Sequence, residues 1–200
     1  MTETAIEIAP DSALIVIDVQ KGFDDTSFWG PRNNPAAEEN IAALMDAWRE
    51  SGRPVVLVQH ASLRTGSVLA PDRPGYALKD FVEERRHDAP LITKTVNSAF
   101  YGTPDLAAWL TARGIGQLVV VGIQTNMCVE TTARMAGNLG YDVLVPLDAT
   151  HTFDLAGPAG LSLTADELAT ATAVNLQGGG FARVVTTAGL LSAARTAVGA

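Results

Sequence analysis

Three residues of different chemical kinds each follow a short apolar run. Asp18 ends ALIVID, Lys94 ends LITK, and Cys128, the sole cysteine, follows LVVVGIQTNM. Parallel neighbouring strands would bring all three to one edge of a sheet. A thiol, a carboxylate and an ammonium are the parts of a nucleophilic hydrolase. The thiolate attacks a carbonyl carbon. Asp18 takes the thiol proton and returns it to a leaving amine. Lys94 raises the thiolate fraction and keeps the carboxylate charged. Backbone N–H groups before and at Cys128 can receive the developing oxyanion, typically worth about 3 kcal/mol per donor. Cys128 also lies where a strand hands over to a helix, so the dipole predicts a lowered thiol pKa. A Gly-x-Ser-x-Gly elbow, the mark of a serine hydrolase, is not in the sequence.

The elements that must position these groups can be read from hydrophobic pattern. Residues 13–17, 55–58, 91–93, 118–121, 141–145 and 182–185 are short apolar runs, as expected of strands buried on both faces. Helical spacing falls between them. Asn34-Pro35 predicts the start of a helix whose inner face is Ile41, Leu44, Met45 and Trp48. Thr103-Pro104 predicts another, ending at Gly114. A third starts at Cys128 and ends at Gly140. Thr164 and Glu167 form a capping box for a fourth, and a last helix begins near Leu190. Alternation of strand and helix predicts an α/β three-layer fold with a parallel sheet. Residues 19–34 read as a non-helical loop carrying Phe23, Phe28 and Trp29. Residues 62–90 form a long irregular stretch, expected to be a cover or a subunit contact, with a short helix within 78–86. His60 follows the second strand and so stands at the same edge as Asp18.

Composition limits the partners. The 200 residues are 47% hydrophobic and 18% charged, as in a single globular domain spanning 1–200. A net charge of −8 argues against nucleic acid and anionic membranes as partners. One cysteine cannot form an internal disulfide. The first residues show neither a basic nor an apolar leader segment, and no apolar run is long enough for a bilayer, so a cytoplasmic protein is expected. The triple glycine at 178–180 ends a helix instead of following a strand, so it is a weak phosphate-loop signal.

At these residues the chain resembles the isochorismatase-like cysteine hydrolase superfamily. The resemblance rests on ALIVIDVQKGF, ITKTVNSAFYGT and VVVGIQTNMCVETTARMAGNLGYDVLVPLDAT, and it covers nearly the whole length. It implies a six-stranded parallel sheet flanked by helices and an Asp-Lys-Cys triad at Asp18, Lys94 and Cys128. It also implies a cis peptide at Ile123-Gln124, an oxyanion hole from the backbone N–H groups of Gln124 and Cys128, a pocket-lining role for Phe100, and a homo-oligomer (dimer or tetramer). The nicotinamidase branch carries Asp-x-His metal ligands after its second strand. Here the sequence reads Gln59-His60-Ala61-Ser62, so no metal and no other cofactor is expected. Many relatives carry a histidine in the helix that here spans residues 165–177, and this chain has none there.

The expectation is therefore a metal-independent cysteine amidohydrolase that cleaves a C–N bond of a small amide, ureido compound or lactam. Phe23, Trp29, His60, Phe100, Gln124 and Asn126 are candidates for shaping the substrate pocket. Alternatives are a vinyl-ether hydrolase in which Cys128 is a bystander, a non-catalytic ligand-binding member of the fold, and a redox-sensing thiol.

Overall fold

The strands form where β-branched and aliphatic runs leave no polar side chain to solvate. β1 (Ala13–Ile17) and β4 (Gln117–Ile123) are buried along their whole length. Around them lie β2 (Val55–His60), β3 (Leu91–Lys94), β5 (Asp142–Pro146) and β9 (Arg183–Val185). These six make one parallel sheet in the order β3-β2-β1-β4-β5-β9. The computed structural model describes residues 6–198, so the first five residues of the stretch read above as leaderless lie outside the described residues. A two-residue strand, β6 (Thr150–His151), pairs with the end of β4. Another short pair, β7 (Leu155–Ala156) and β8 (Ser162–Leu163), is antiparallel and stands apart.

Among the described residues, seven α-helices accompany them: α1 (Thr26–Trp29), α2 (Ala37–Glu50), α3 (Asp80–Glu83), α4 (Leu106–Thr111), α5 (Glu130–Asn138), α6 (Ala165–Gly178) and α7 (Thr187–Val198). The period-2 alternation of the strands divides the core into two layers. Leu14 and Val16 face Ile41, Leu44 and Trp48 of α2 and Leu190 of α7. Ala13, Ile15 and Ile17 face Leu106 and Leu110 of α4, Val129, Ala133 and Ala136 of the α5 segment, and Leu176 of α6. Trp48 is fully buried and its indole N–H donates to the Ser12 carbonyl at 2.9 Å. None of the described helices is long and apolar enough to cross a membrane.

Several local expectations shift by a residue or change role. The helix after Asn34-Pro35 begins at Ala37, and Asn34 is no cap. Its amide donates to the carbonyls of Asp148 and Thr150 at 2.9 and 2.6 Å. Asp105, with its carboxylate accepting from the Ala108 N–H, caps α4 in place of Thr103. The stretch expected to be non-helical holds a 3-10 turn (Lys21–Asp24) and α1, because Asp25 accepts from the N–H groups of Ser27 and Phe28. The Thr164/Glu167 capping box is formed. Residues 62–90 fold back on their own chain. Leu78 bridges to Gln20, and Gly75 lies so close to Gly22 that a Cβ there would come 2.7 Å from the Gly22 Cα.

A partly buried polar network ties this cover to the rest of the fold. Glu38 of α2 accepts from Lys79 at 2.7 Å and from Arg32, and Lys79 also pairs with Asp24. Arg32 reaches Nε2 of His151 at 3.3 Å. His151 is fully buried, and burial, reinforced by the Arg32 and Lys79 charges, pushes its pKa down to about 3. The folded chain thus holds His151 neutral while the unfolded chain protonates it below about pH 6.5. Its contribution to stability is complete above that pH and is lost as pH falls towards 3.

Two outcomes follow from this packing. Gly122 has φ of +122°, and a Cβ there would lie 2.0 Å from the Ile17 carbonyl oxygen. Gly122→Ala should cost more than about 4 kcal/mol in a denaturant titration, since backbone must move on both sides. In acid, the stability of the wild-type chain should fall more steeply than that of His151→Gln, by about 1.4 kcal/mol per pH unit between pH 6 and 4. Parallel curves from chemical denaturation at each pH would show that His151 carries no such linkage.

Candidate active site

The sheet register explains why three distant residues meet. Ile17 of β1 pairs with Val58 of β2 and with Gly122 of β4, and His60 of β2 pairs directly with Lys94 of β3. Paired residues of parallel strands point to the same face. Lys94 follows Ile92, and His60 follows Val58, by two residues, so both face the α5 layer. Asp18 breaks the alternation with a left-handed backbone, φ +51°. Its N–H donates to the Val58 carbonyl at 2.9 Å, and its own carbonyl accepts from the Gln20 N–H at 2.8 Å. The carboxylate is thereby turned towards Lys94. Cys128 arrives from β4 through a π-helical turn, Thr125–Val129, in which Met127 and Val129 N–H groups both donate to the Gln124 carbonyl. The Ile123-Gln124 peptide is cis.

Lys94 is the hub. Its Nζ donates to Oδ2 of Asp18 at 2.6 Å and to Sγ of Cys128 at 3.3 Å, and lies 3.2 Å from Nδ1 of His60. Lys94 and Asp18 are almost wholly buried, at 1% and 0% exposure. Burial works against the ammonium, but the Asp18 charge and the Cys128 sulfur outweigh it, and the Lys94 pKa is raised. Lys94 is therefore a cation at every relevant pH. Oδ1 of Asp18 is buried and meets no hydrogen-bond donor among the described residues. A buried carboxylate oxygen with open lone pairs, a few ångströms from a thiol, is a ready proton acceptor.

The thiol itself departs from expectation. Burial and, next, the Asp18 charge push the Cys128 pKa up, and Lys94 only partly offsets them. The helix-terminus argument predicted a lowered value. It fails because the sulfur lies inside the α5-side core and faces a carboxylate before it faces a solvated dipole. The resting site is thus a neutral thiol beside an ion pair.

The other named residues are scattered. Phe23 and Trp29 pack on Phe153, at centroid distances of 6.2 and 5.4 Å, within the α2-side cluster. The Trp29 indole donates to the Gly22 carbonyl. Phe100 stacks on Tyr141 at 5.9 Å, because Ser98 caps the turn and the chain then runs along α5, where the Ala99 N–H donates to Thr132. Asn97 is left at the site instead, exposed, with Oδ1 3.8 Å from the Cys128 sulfur. Asn97 lies within ITKTVNSAFYGT, and its place immediately before the Ser98 cap is the signal that points to it. Asn126 accepts from the Thr152 hydroxyl at 2.5 Å. Gln20, fully buried, was also missed; it braces His60 by accepting from the His60 N–H and donating to the His60 and Tyr76 carbonyls. A cleft of about 1640 Å³ between α6, α7 and residues 6–8 includes none of these chemical groups.

Asp18, His60 and Cys128 place ligand atoms within 4.8 Å of one another, the spacing of a metal site. The Lys94 ammonium stands among the same three atoms, so a divalent cation there would have to displace a buried ion-pair partner. This donor set fits an internal ammonium better than a metal.

The isochorismatase domain model matches residues 12–187 of the chain. A Bacillus subtilis isochorismatase family protein, YrdC, is 46% identical over 143 residues, which are 72% of this chain and 75% of that protein. The ureidoacrylate amidohydrolase RutB of Variovorax paradoxus is 34% identical over 185 residues, spanning 76% of this chain and 72% of RutB. Among solved structures, an isochorismatase-family protein from Chromobacterium violaceum superposes with a TM-score of 0.90 at 40% identity, covering 98% of this chain and 100% of that one. The chain belongs to the isochorismatase family of hydrolases.

Proposed function

We propose that the chain is a cysteine amidohydrolase that cleaves a C–N bond of a small molecule through a thioester on Cys128. The observation that carries this reading is the unpartnered Oδ1 of Asp18 beside a neutral thiol, with Lys94 bonded to both residues. The similarity to an amidohydrolase supports it.

In this reading the amide carbonyl carbon takes the place in front of Sγ. As sulfur attacks, its proton passes to Asp18 and the carbonyl oxygen becomes an oxyanion held by the N–H groups of Gln124 and Cys128. Asp18 then gives that proton to the nitrogen, the C–N bond breaks, the amine leaves, and the acyl group remains as a thioester. Water attacks the thioester and Asp18 takes its proton. Collapse releases the acid, and the proton returns to sulfur. Lys94 stays charged throughout and stabilises whichever neighbour is anionic, first the carboxylate and then the thiolate. Asn97 and Asn126, polar and not fully buried, are suited to orient the substrate. No step needs a metal or an organic cofactor.

A panel of primary amides, ureido compounds and lactams, followed by release of ammonia or amine, tests this directly. Cys128→Ala should abolish turnover; retained activity would favour ether hydrolysis with the thiol as bystander. Asp18→Asn should lower kcat by about 10²- to 10⁴-fold. The same substitution removes the charge that raises the thiol pKa. Alkylation of Cys128 by iodoacetamide at pH 7 should therefore become faster in Asp18→Asn while hydrolysis is lost. Unchanged alkylation together with unchanged hydrolysis would remove Asp18 from the chemistry. Prolonged dialysis against a chelator should leave turnover unchanged; a loss restored by a divalent ion would overturn the metal-free reading.

A further inference from the structure

Within the proposed hydrolase reading, on which this rests, one titratable side chain at the site has no part in the chemistry. His60 touches the ammonium through Nδ1. We propose that His60 is a positioning residue for Lys94: its neutral ring, protonated on Nε2, accepts the third N–H of the ammonium and holds it between Asp18 and Cys128.

The argument begins from donor number. An ammonium has three N–H groups and no acceptor. Two of them go to Asp18 and Cys128. The third polar atom within reach is Nδ1 of His60, 3.2 Å away. Facing a donor, Nδ1 can only accept, so the ring proton resides on Nε2. In a site buried this deeply, an ammonium N–H without an acceptor is costly. It would also swing freely between Asp18 and Cys128. With all three N–H groups engaged, Nζ has one position.

The support behind His60 is as fixed as the contact itself. The β2–β3 register sets His60 beside Lys94. Gln20, fully buried, clamps the His60 backbone at both its N–H and its carbonyl. Every charged or titratable group facing the ring belongs to the same site: Lys94 from β3, Asp18 from β1 and Cys128 from the π-helical turn. Burial and then the Lys94 charge lower the His60 pKa, and Asp18 only partly opposes them. The ring therefore stays neutral at physiological pH. When it is protonated in acid, it becomes a second cation beside Lys94 and can no longer accept.

The assignment differs from substrate binding in measurable ways. In ¹⁵N-labelled full-length protein, the imidazole resonances of His60, identified by their loss in His60→Asn, should report the Nε2–H tautomer. They should titrate below the ordinary value of about 6.5. A proton on Nδ1, or titration at the ordinary value, would overturn the proposal whether or not any substrate is known. Kinetically, His60→Ala should lower kcat about tenfold, the usual scale for removing a supporting contact, with KM changed less than about twofold. His60→Asn, whose amide oxygen can take the place of Nδ1, should recover most of kcat and lose the acid limb of the pH profile. A change in KM alone would place His60 on the substrate. A chain that turns over none of the amide panel would remove the hydrolase reading and leave the NMR result standing as the test of His60.

Discussion

The structure depends on one buried ion pair. Lys94 and Asp18 carry full charges with 0% and 1% of their side-chain surfaces exposed. Moving a charge of that size out of water costs several kcal/mol per ion even after relaxation, and only close geometry with further hydrogen bonds recovers it. The 2.6 Å contact, the His60 and Cys128 contacts to the ammonium, and the Val58 and Gln20 contacts to the Asp18 backbone are that geometry. The pair adds little to stability compared with an apolar core of the same volume. What it gives the chain is a fixed electrostatic field at the mouth of the sheet, where a neutral thiol and an open carboxylate oxygen sit side by side.

Bringing those groups together constrains elements far from them. β1 and β4 must approach closely enough for Asp18 and Cys128 to share Lys94, and only glycine at 122 permits the approach to Ile17. The left-handed turn at Asp18 costs backbone energy of a kind found at functional positions. It is held by the same sheet hydrogen bonding that continues from β2. On the opposite layer, α2 is seated by Asn34 and Asn40 on the Asp148 carbonyl and by Glu38 on Lys79. These bonds fix the cover of residues 62–90 over Gly22 without contributing to the chemistry. Rigidity at the site is thus assembled from interactions on both faces of the sheet.

Much of this was legible in the sequence because it follows from local rules. Apolar runs of three to five residues predict the six strands, and the first and third stop at Asp18 and Lys94 because a charge cannot continue into a two-sided core. The capping box at Thr164 needs only four residues to be recognised, and it forms. What could not be read was cross-strand geometry. Whether Phe100 or Asn97 meets the sulfur depends on how the turn after Lys94 lies along α5. Whether His60 meets substrate or Lys94 depends on a register that sequence does not print. The thiol pKa departs from expectation for a related reason: a helix terminus is a local feature, whereas burial comes from several packed elements and the Asp18 carboxylate from the first strand, 110 residues away.

The donor atoms around Lys94 can be compared with those of a metal site. Asp18, His60 and Cys128 are an oxygen, a nitrogen and a sulfur donor at ligand spacing, a set that would suit zinc. A metal would lower the thiol pKa outright and hold a thiolate at rest. Lys94 occupies the position of that cation but differs from it in two respects. Its charge is one, and it offers hydrogens instead of empty orbitals. One positive charge balances one anion, and Asp18 is already that anion, so the sulfur must keep its proton until the carboxylate gives up its charge by taking it. In the proposed mechanism, attack by sulfur and protonation of Asp18 are therefore coupled by charge balance around a single ammonium. A neutral His60 preserves that balance, whereas a protonated one would add a second positive charge and uncouple the two events. On this argument the third acceptor around Lys94 has to be uncharged, which imidazole satisfies and a carboxylate would not.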